Sequence, residues 1–356
     1  MRNNSVRGYT GYRGRRPNGR RWLILVLALI LLAATAFLVV QRYMVYDMDG
    51  SYHFELPWLR RVGGGQQAAP GGTRQDLEII IQRPDEPPEA QPLRARELDA
   101  AALAGGMSRA LAELPENINA VAIRLKTVDG DLLYPSALPA AIEAKAVAGS
   151  SIAESSLREL TASDRYTIAR LAALHDSRFS YAHMTEAAIE QKAYKNYIWY
   201  APDSSFYLAP EKALARQYLA SIATEVAALG FDELLFDEFG YPAAGRLNNI
   251  KTEAREITQE EALALLADNL REALRDTDTR LSLLMDENTV LAGANAKTGQ
   301  SIAALAPRFD RIYVPTTEEN IPALREALAP YGAAFVPILD AALAEGPYLL
   351  SVEKEA

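Results

Sequence analysis

The sequence predicts an α/β protein: a (β/α)8 TIM-like barrel preceded by one N-terminal transmembrane helix. Two observations carry this. Short β-rich runs alternate with longer amphipathic ones over roughly 260–280 residues, the size and order of such a barrel. Ahead of them, residues 22–40 (WLILVLALILLAATAFLVV) contain no charge. At the helical rise per residue that run is roughly 28 Å long, enough for a hydrocarbon core of ~30 Å.

The flanks of the apolar run orient it. Arg2, Arg7, Arg13, Arg15, Arg16, Arg20 and Arg21 all precede it, with no acid among the first 21 residues. Positive flanks stay cytoplasmic, so the expectation is a single-pass protein of the cell membrane with its N-terminus inside and its main domain outside. Trp22 and Tyr43 bracket the span, where amphipathic rings favour the interface. Ala34-Thr35-Ala36 has the form of a signal-peptide cleavage site, but Phe37-Leu38-Val39-Val40 continues the apolar run beyond it. A retained anchor is therefore expected.

Charge is unevenly divided. The chain carries −9 overall; the first 21 residues carry +7, so the remainder carries −16. The basic tail serves topology or lipid headgroups, and the acidic remainder would repel phosphate backbones, so nucleic acid is not an expected partner. There is no cysteine. Disulfides, thiolate chemistry and cysteine metal sites are thereby excluded.

The expected organisation is a basic tail (1–21), the membrane helix (22–40), a juxtamembrane segment and Gly/Gln linker (41–75), and the barrel (76–350). The linker is GGGQQAAPGG at 63–72, too polar and Gly-rich to pack. Expected strands lie at 77–81 (LEIII), 120–125 (AVAIRL), 166–171 (YTIARL), 197–200 (YIWY), 233–236 (ELLF), 281–285 (LSLLM), 311–314 (RIYV) and 334–336 (AFV). Several are nearly continuous apolar runs, as parallel strands covered on both faces should be. Helices are clearest at 210–229 and 258–274, the second opening with Thr258 and Glu261 in capping-box spacing. An open doubly wound sheet is the structural alternative, but it usually carries a Gly-rich nucleotide turn, and neither GxGxxG nor GxxxxGK[ST] occurs.

Reactive groups of a barrel belong at the C-terminal ends of its strands. Asp237 and Glu238 follow one expected strand; Asp286 and Glu287 follow the next. Two acidic pairs on neighbouring rims suit glycosidic cleavage, in which one carboxyl protonates the leaving oxygen while the other attacks or activates water. Strand-end acids also cap helices and turns, the competing structural role. Trp199, Tyr200, Phe206, Tyr207 and Tyr241 flank these acids; aromatic faces stack on sugar rings and also fill cores. The three histidines His53, His175 and His183 form no HxH or HExxH, and no GxSxG occurs, so neither a histidine-rich metal centre nor a serine triad is indicated.

The stretch at 215–242, ARQYLASIATEVAALGFDELLFDEFGYP, resembles a family of glycoside hydrolases with a barrel domain of otherwise unknown function. That family has a helix ending in A-x-x-G-F-D-E-[IL], a strand ending in F-D, and a loop ending in proline after an aromatic. Gly230, Phe231, Asp232, Glu233, Phe236, Asp237, Tyr241 and Pro242 fit this frame. Further resemblance lies at Asn119-Ala120-Val121 through Lys126, Asp129-Gly130, Tyr134, Ala169-Arg170, Asp176, Trp199, Gly299-Gln300 and Phe309-Asp310-Arg311-Ile312-Tyr313. It implies a (β/α)8 fold and glycosidase activity with Asp237 as leading carboxylate. Where the family loop reads F-D-Y-V-R-F-P, this chain has Gly240 at the arginine position, which removes a cation expected beside Asp237.

The resulting expectation is a membrane-anchored glycoside hydrolase of an envelope or extracellular polysaccharide. Asp237 would be the nucleophile or stabilising carboxylate, and Glu287 or Asp286 the general acid. Arg124, Lys126, Arg170, Trp199, Glu238 and Tyr241 would contact substrate, with the three cations alternatively serving ion pairs inside the barrel. No cofactor, metal or obligate protein partner is expected. The alternative is a degenerate barrel that binds envelope glycan without cleaving it. If Asp237 is catalytic, Asp237→Asn should remove most turnover and leave the melting temperature nearly unchanged; if it is structural, the same change should leave a buried partner unpaired and cost stability.

Overall fold

A computed structural model describes residues 44–46, 52–54, 91–99, 103, 106–192, 197–252 and 256–351. The expected membrane helix at 22–40 and strand at 77–81 lie outside the described residues; among the described residues no helix is long and apolar enough to cross a membrane. The chain divides after Gln82 into two units. In the first, Met44–Tyr46 and Tyr52–Phe54 form a short antiparallel pair.

The second unit is a closed barrel of eight parallel strands. In chain order they are β1 (Arg94–Leu98), β2 (Ala120–Lys126), β3 (Tyr166–Ala172), β4 (Glu233–Asp237), β5 (Arg280–Leu284), β6 (Arg311–Pro315), β7 (Ala334–Leu339) and β8 (Tyr348–Leu350). Each pairs with its neighbour in sequence, and β8 closes on β1. Helices Ala213–Ala228 and Gln259–Leu274 follow β3 and β4 on the outside.

Alternation along the strands builds two cores. On β2, Ala120 and Ala122 pack inside the barrel with Ile168, Leu235 and Tyr313, while Val121, Ile123 and Leu125 pack outward with the helices. The same phase puts Glu97, Arg124, Arg170 and Asp237 on the inner face towards the strands' C-terminal ends. Alanines on β1 and β2 leave room for the fully buried Tyr313 opposite. At the other end of the barrel, Arg311 pairs with Glu233, and Tyr166 Oη donates to the same carboxylate at 2.9 Å. This closes the floor with an ion pair and a tyrosine hydroxyl on one carboxylate.

Thr258 and Glu261 form the capping box: Thr258 Oγ1 accepts from the Glu261 amide at 3.2 Å and Glu261 Oε2 accepts from the Thr258 amide at 2.8 Å. Thr258→Ala should lower unfolding stability by about 1 kcal/mol, read by urea denaturation. A change indistinguishable from zero would show that the helix is held by packing alone.

Residues 197–200 are not a barrel strand. Tyr197 and Tyr200 are exposed while Ile198 and Trp199 are buried, and the segment takes part in one isolated bridge, Ile198 with Glu190, within the long β3–β4 connection. Its β-rich composition reflects a half-buried loop edge. The strands that complete the barrel are instead β1 (RAREL) and β8 (YLL).

Candidate active site

The C-terminal ends of β1 to β4 bring four charges together. Asp237 Oδ2 accepts from Arg170 Nε at 2.7 Å and from Arg124 Nη1 at 3.0 Å. Arg170 Nη1 also donates to both oxygens of Glu97 at 3.1 Å, and Ser351 Oγ donates to Glu97 Oε2 at 2.8 Å. Glu97, Arg170 and Asp237 are all buried. Asp237 Oδ1 is buried too, yet has no hydrogen-bond partner. Buried polar atoms are nearly always paired, so an unpartnered oxygen among the described residues sets this carboxylate apart.

Arg124 and Arg170 thus place two cations on Asp237 without a loop arginine. Position 240 could not hold a larger residue without movement: a Cβ there would stand 3.1 Å from Thr298 Cβ and 3.3 Å from Gln300 Cδ. Those residues clamp the loop, with the Tyr241 amide donating to Thr298 O at 2.9 Å and Gln300 Nε2 to Phe239 O at 3.2 Å.

Glu238 has a left-handed backbone, φ 50°. In a regular strand its side chain would point away from that of Asp237, towards the helices. The left-handed turn breaks the alternation, so Asp237 and Glu238 line the same cleft of about 500 Å3 together with Arg124, Arg170, Tyr207 and Asp286. A left-handed non-glycine costs energy, and such residues cluster where function holds them.

A polar chain runs behind Glu238. Ser205 Oγ donates to Asp203 Oδ1 at 2.7 Å, so it accepts from His175 Nε2, 2.6 Å away. His175 Nδ1 then faces Glu238 Oε2 at 3.6 Å. The imidazole stacks on Tyr207 with ring centroids 4.3 Å apart. Burial, then the negative charges of Glu238 and Asp203, push the Tyr207 phenol well above its ordinary range, so it stays a neutral donor. The Ser205 hydroxyl and amide hold the Asp203 carboxyl below its usual value, aided by His175 and opposed by burial.

The other residues singled out from sequence occupy different places. Asp286 lines the cleft and caps helix Glu287–Ala292, with Oδ1 accepting from the Thr289 amide at 3.1 Å. Glu287 does not line the cleft; its carboxylate accepts from Thr316 Oγ1 and from Asn320 Nδ2. Lys126 is fully buried, pairs with Asp176 at 2.8 Å and donates to Ala172 O at 2.8 Å. Gly130 is required beside this pair: its φ is +90°, and a Cβ would lie 2.1 Å from Asp176 Oδ1. Trp199 borders a separate pocket. Tyr241 lines the cleft and donates to Glu211 Oε2 at 2.6 Å. Sequence reasoning missed Glu97, which sits on the unexpected β1. Among the described residues no cluster of His, Asp or Glu suits a metal ion.

Comparison with known proteins gives the family. Residues 109–315 match the family described as "Putative glycosyl hydrolase domain". No curated protein matches. Among solved structures, a hypothetical protein from Ruminiclostridium thermocellum is 23% identical with a TM-score of 0.45, covering 52% of this chain and 95% of that one. The GH20 exo β-N-acetylglucosaminidase from Vibrio harveyi is 12% identical with a TM-score of 0.48, covering 70% of this chain and 41% of that one. The PgaB (BpsB) glycoside hydrolase domain from Bordetella bronchiseptica is 14% identical with a TM-score of 0.45, covering 70% and 84%. The family match spans more than half of the sequence and includes β2 to β6, with Arg124, Arg170, Asp237 and Glu238. The chain belongs to the glycosyl hydrolase domain family.

Proposed function

We propose that the protein is a membrane-tethered glycoside hydrolase that cleaves an envelope or extracellular polysaccharide in the cleft above β4. The observation that carries this reading is the left-handed Glu238, which turns two consecutive acids into one cleft. Asp237, with one oxygen shared by two guanidinium groups, acts through its charge, and its unpartnered Oδ1 meets the sugar as positive charge develops at the anomeric carbon. Glu238 donates the proton to the leaving oxygen as the glycosidic C–O bond breaks. His175 stands behind that carboxylate, with Nε2 on Ser205 Oγ and Nδ1 3.6 Å from Glu238 Oε2. Water then adds to the anomeric carbon, and Asp286, whose cap uses Oδ1 alone, takes its proton.

The test is incubation of the protein with a panel of envelope polysaccharides and assay for new reducing ends. Binding without any new reducing ends would favour the glycan-binding alternative. Tethering is tested separately. Protease treatment of intact cells should release the acidic domain, because seven arginines flank only the N-terminal side of the apolar run. Protection of that domain would overturn the orientation.

A further inference from the structure

The β3–β4 connection and the loop after β4 enclose a second pocket of about 810 Å3, within the range of small-ligand sites. Tyr197 and Tyr200 stand at it with 57% and 50% of their surface exposed, over the buried ring of Trp199. Tyrosine rings half open to a pocket offer flat faces on which a ligand can stack. Asn249 and Gln191 add hydrogen-bonding groups, and Arg246 is the one charged side chain among the described lining residues.

The pocket is built before any ligand arrives. Trp199 Nε1 donates to Arg246 O at 3.0 Å. Gly245, with φ +95°, lies so close that a Cβ would meet Pro202 Cδ at 3.1 Å and Trp199 Cζ2 at 3.3 Å. The walls are joined by Lys192 N to Asn249 O at 2.8 Å and Gln191 N to Tyr197 O at 2.9 Å. Trp199 packs edge-on against Tyr207, ring centroids 6.2 Å apart, and Tyr207 lines the cleft that holds Asp237 and Glu238. One aromatic row therefore joins the two.

We propose that this pocket is a remote sugar-binding subsite, so that the protein engages a glycan chain several residues long; the proposal rests on the hydrolase reading above. The tyrosine rings stack on the C–H faces of sugar rings, while Asn249, Gln191 and Arg246 meet the hydroxyls. Arg246, the one charged side chain among the described lining residues, disfavours cationic sugars and suits neutral or uronate ones. A purely apolar ligand would leave those three polar side chains without partners.

The experiment titrates the full-length Glu238→Gln variant, in which oligomers persist, with glucose, N-acetylglucosamine and galacturonate oligomers from disaccharide to octasaccharide. Affinity in at least one series should rise with length beyond the disaccharide. Tyr200→Ala and Arg246→Ala, both at exposed positions, should each weaken the long oligomers about tenfold and leave the disaccharide unchanged. Affinity independent of length, gains that survive both substitutions, or no binding in any series would overturn the subsite. Wild-type turnover is scored separately. Hydrolysis with length-independent binding sinks the subsite and keeps the hydrolase reading; length-dependent binding without hydrolysis does the reverse.

Discussion

Arg170→Met should lower the unfolding free energy by about 3–5 kcal/mol, the largest stability loss expected from a single change at the site. Arg170 is buried between two carboxylates, donating Nη1 to Glu97 at 3.1 Å and Nε to Asp237 at 2.7 Å. Methionine restores most of the volume but, among the described residues, leaves Glu97 with Ser351 and Asp237 with Arg124 as hydrogen-bond partners. Both carboxylates then sit in a low-dielectric interior with less compensation, and removing one member of a buried network costs far more than the network's net contribution. Urea denaturation monitored by circular dichroism reads the loss. A second variant, Glu97→Gln with Arg170→Met, should recover part of it, because one uncompensated charge disappears with its partner. A single-variant loss below about 1 kcal/mol would mean that water reaches the network and that it behaves like a surface ion pair.

The same network alters what Asp237→Asn is expected to do. From sequence, a catalytic Asp237 and a structural one predict opposite outcomes. In the structure Oδ2 of this carboxylate holds two guanidinium groups while the residue lines the cleft, so under the proposed function it is both. Loss of turnover and loss of stability should therefore occur together, and that variant cannot separate the roles. Glu238 can, as argued below.

Several features of this arrangement were legible in the sequence. The apolar runs at β2 to β7, apart from the misassigned 197–200, announce themselves because both faces of each strand are covered and both phases are apolar. Arg124 and Arg170 stand out within such runs, and barrel-interior ion pairing was one of their two expected roles. β1 escaped because RAREL is charged at Arg94, Arg96 and Glu97; Glu97 is tolerated inside through Ser351 and through Arg170, two strands and 73 residues away. No local pattern can report so distant a partner. β8 escaped because three residues are too few for a period to appear. Glu287 looked equivalent to Asp286 in sequence, but the first turn of the following helix points it to Thr316 and Asn320. The left-handed backbone of Glu238 was also hidden, since glutamate gives no signal for it and the clamp by Thr298 and Gln300 comes from beyond β5.

Glu238 should show opposite signs for activity and stability. Glu238→Gln is expected to lower kcat by about 10²–10⁴ on any glycan the wild type cleaves, because the amide cannot donate a proton to the leaving oxygen. Its melting temperature should not move, since the side chain is 43% exposed and its ionic contact is His175 at 3.6 Å. Glu238→Gly should be equally inactive yet more stable, by about 1 kcal/mol, because glycine adopts φ 50° without the steric penalty a side chain meets there. Part of that relief is offset by the greater freedom glycine has in the unfolded chain, which keeps the gain small. A residue retained for packing would give the reverse, a destabilised and still active Gly variant. Asp286→Asn is the control for the proton donor. If it lost ordinary glycans yet kept substrates with activated leaving groups, which need no protonation, while Glu238→Gln left ordinary glycans cleaved, the acid would be Asp286 and the role given to Glu238 would fall. With Glu238 as acid, activated substrates should instead rescue Glu238→Gln, since departure of the leaving group no longer waits for a proton.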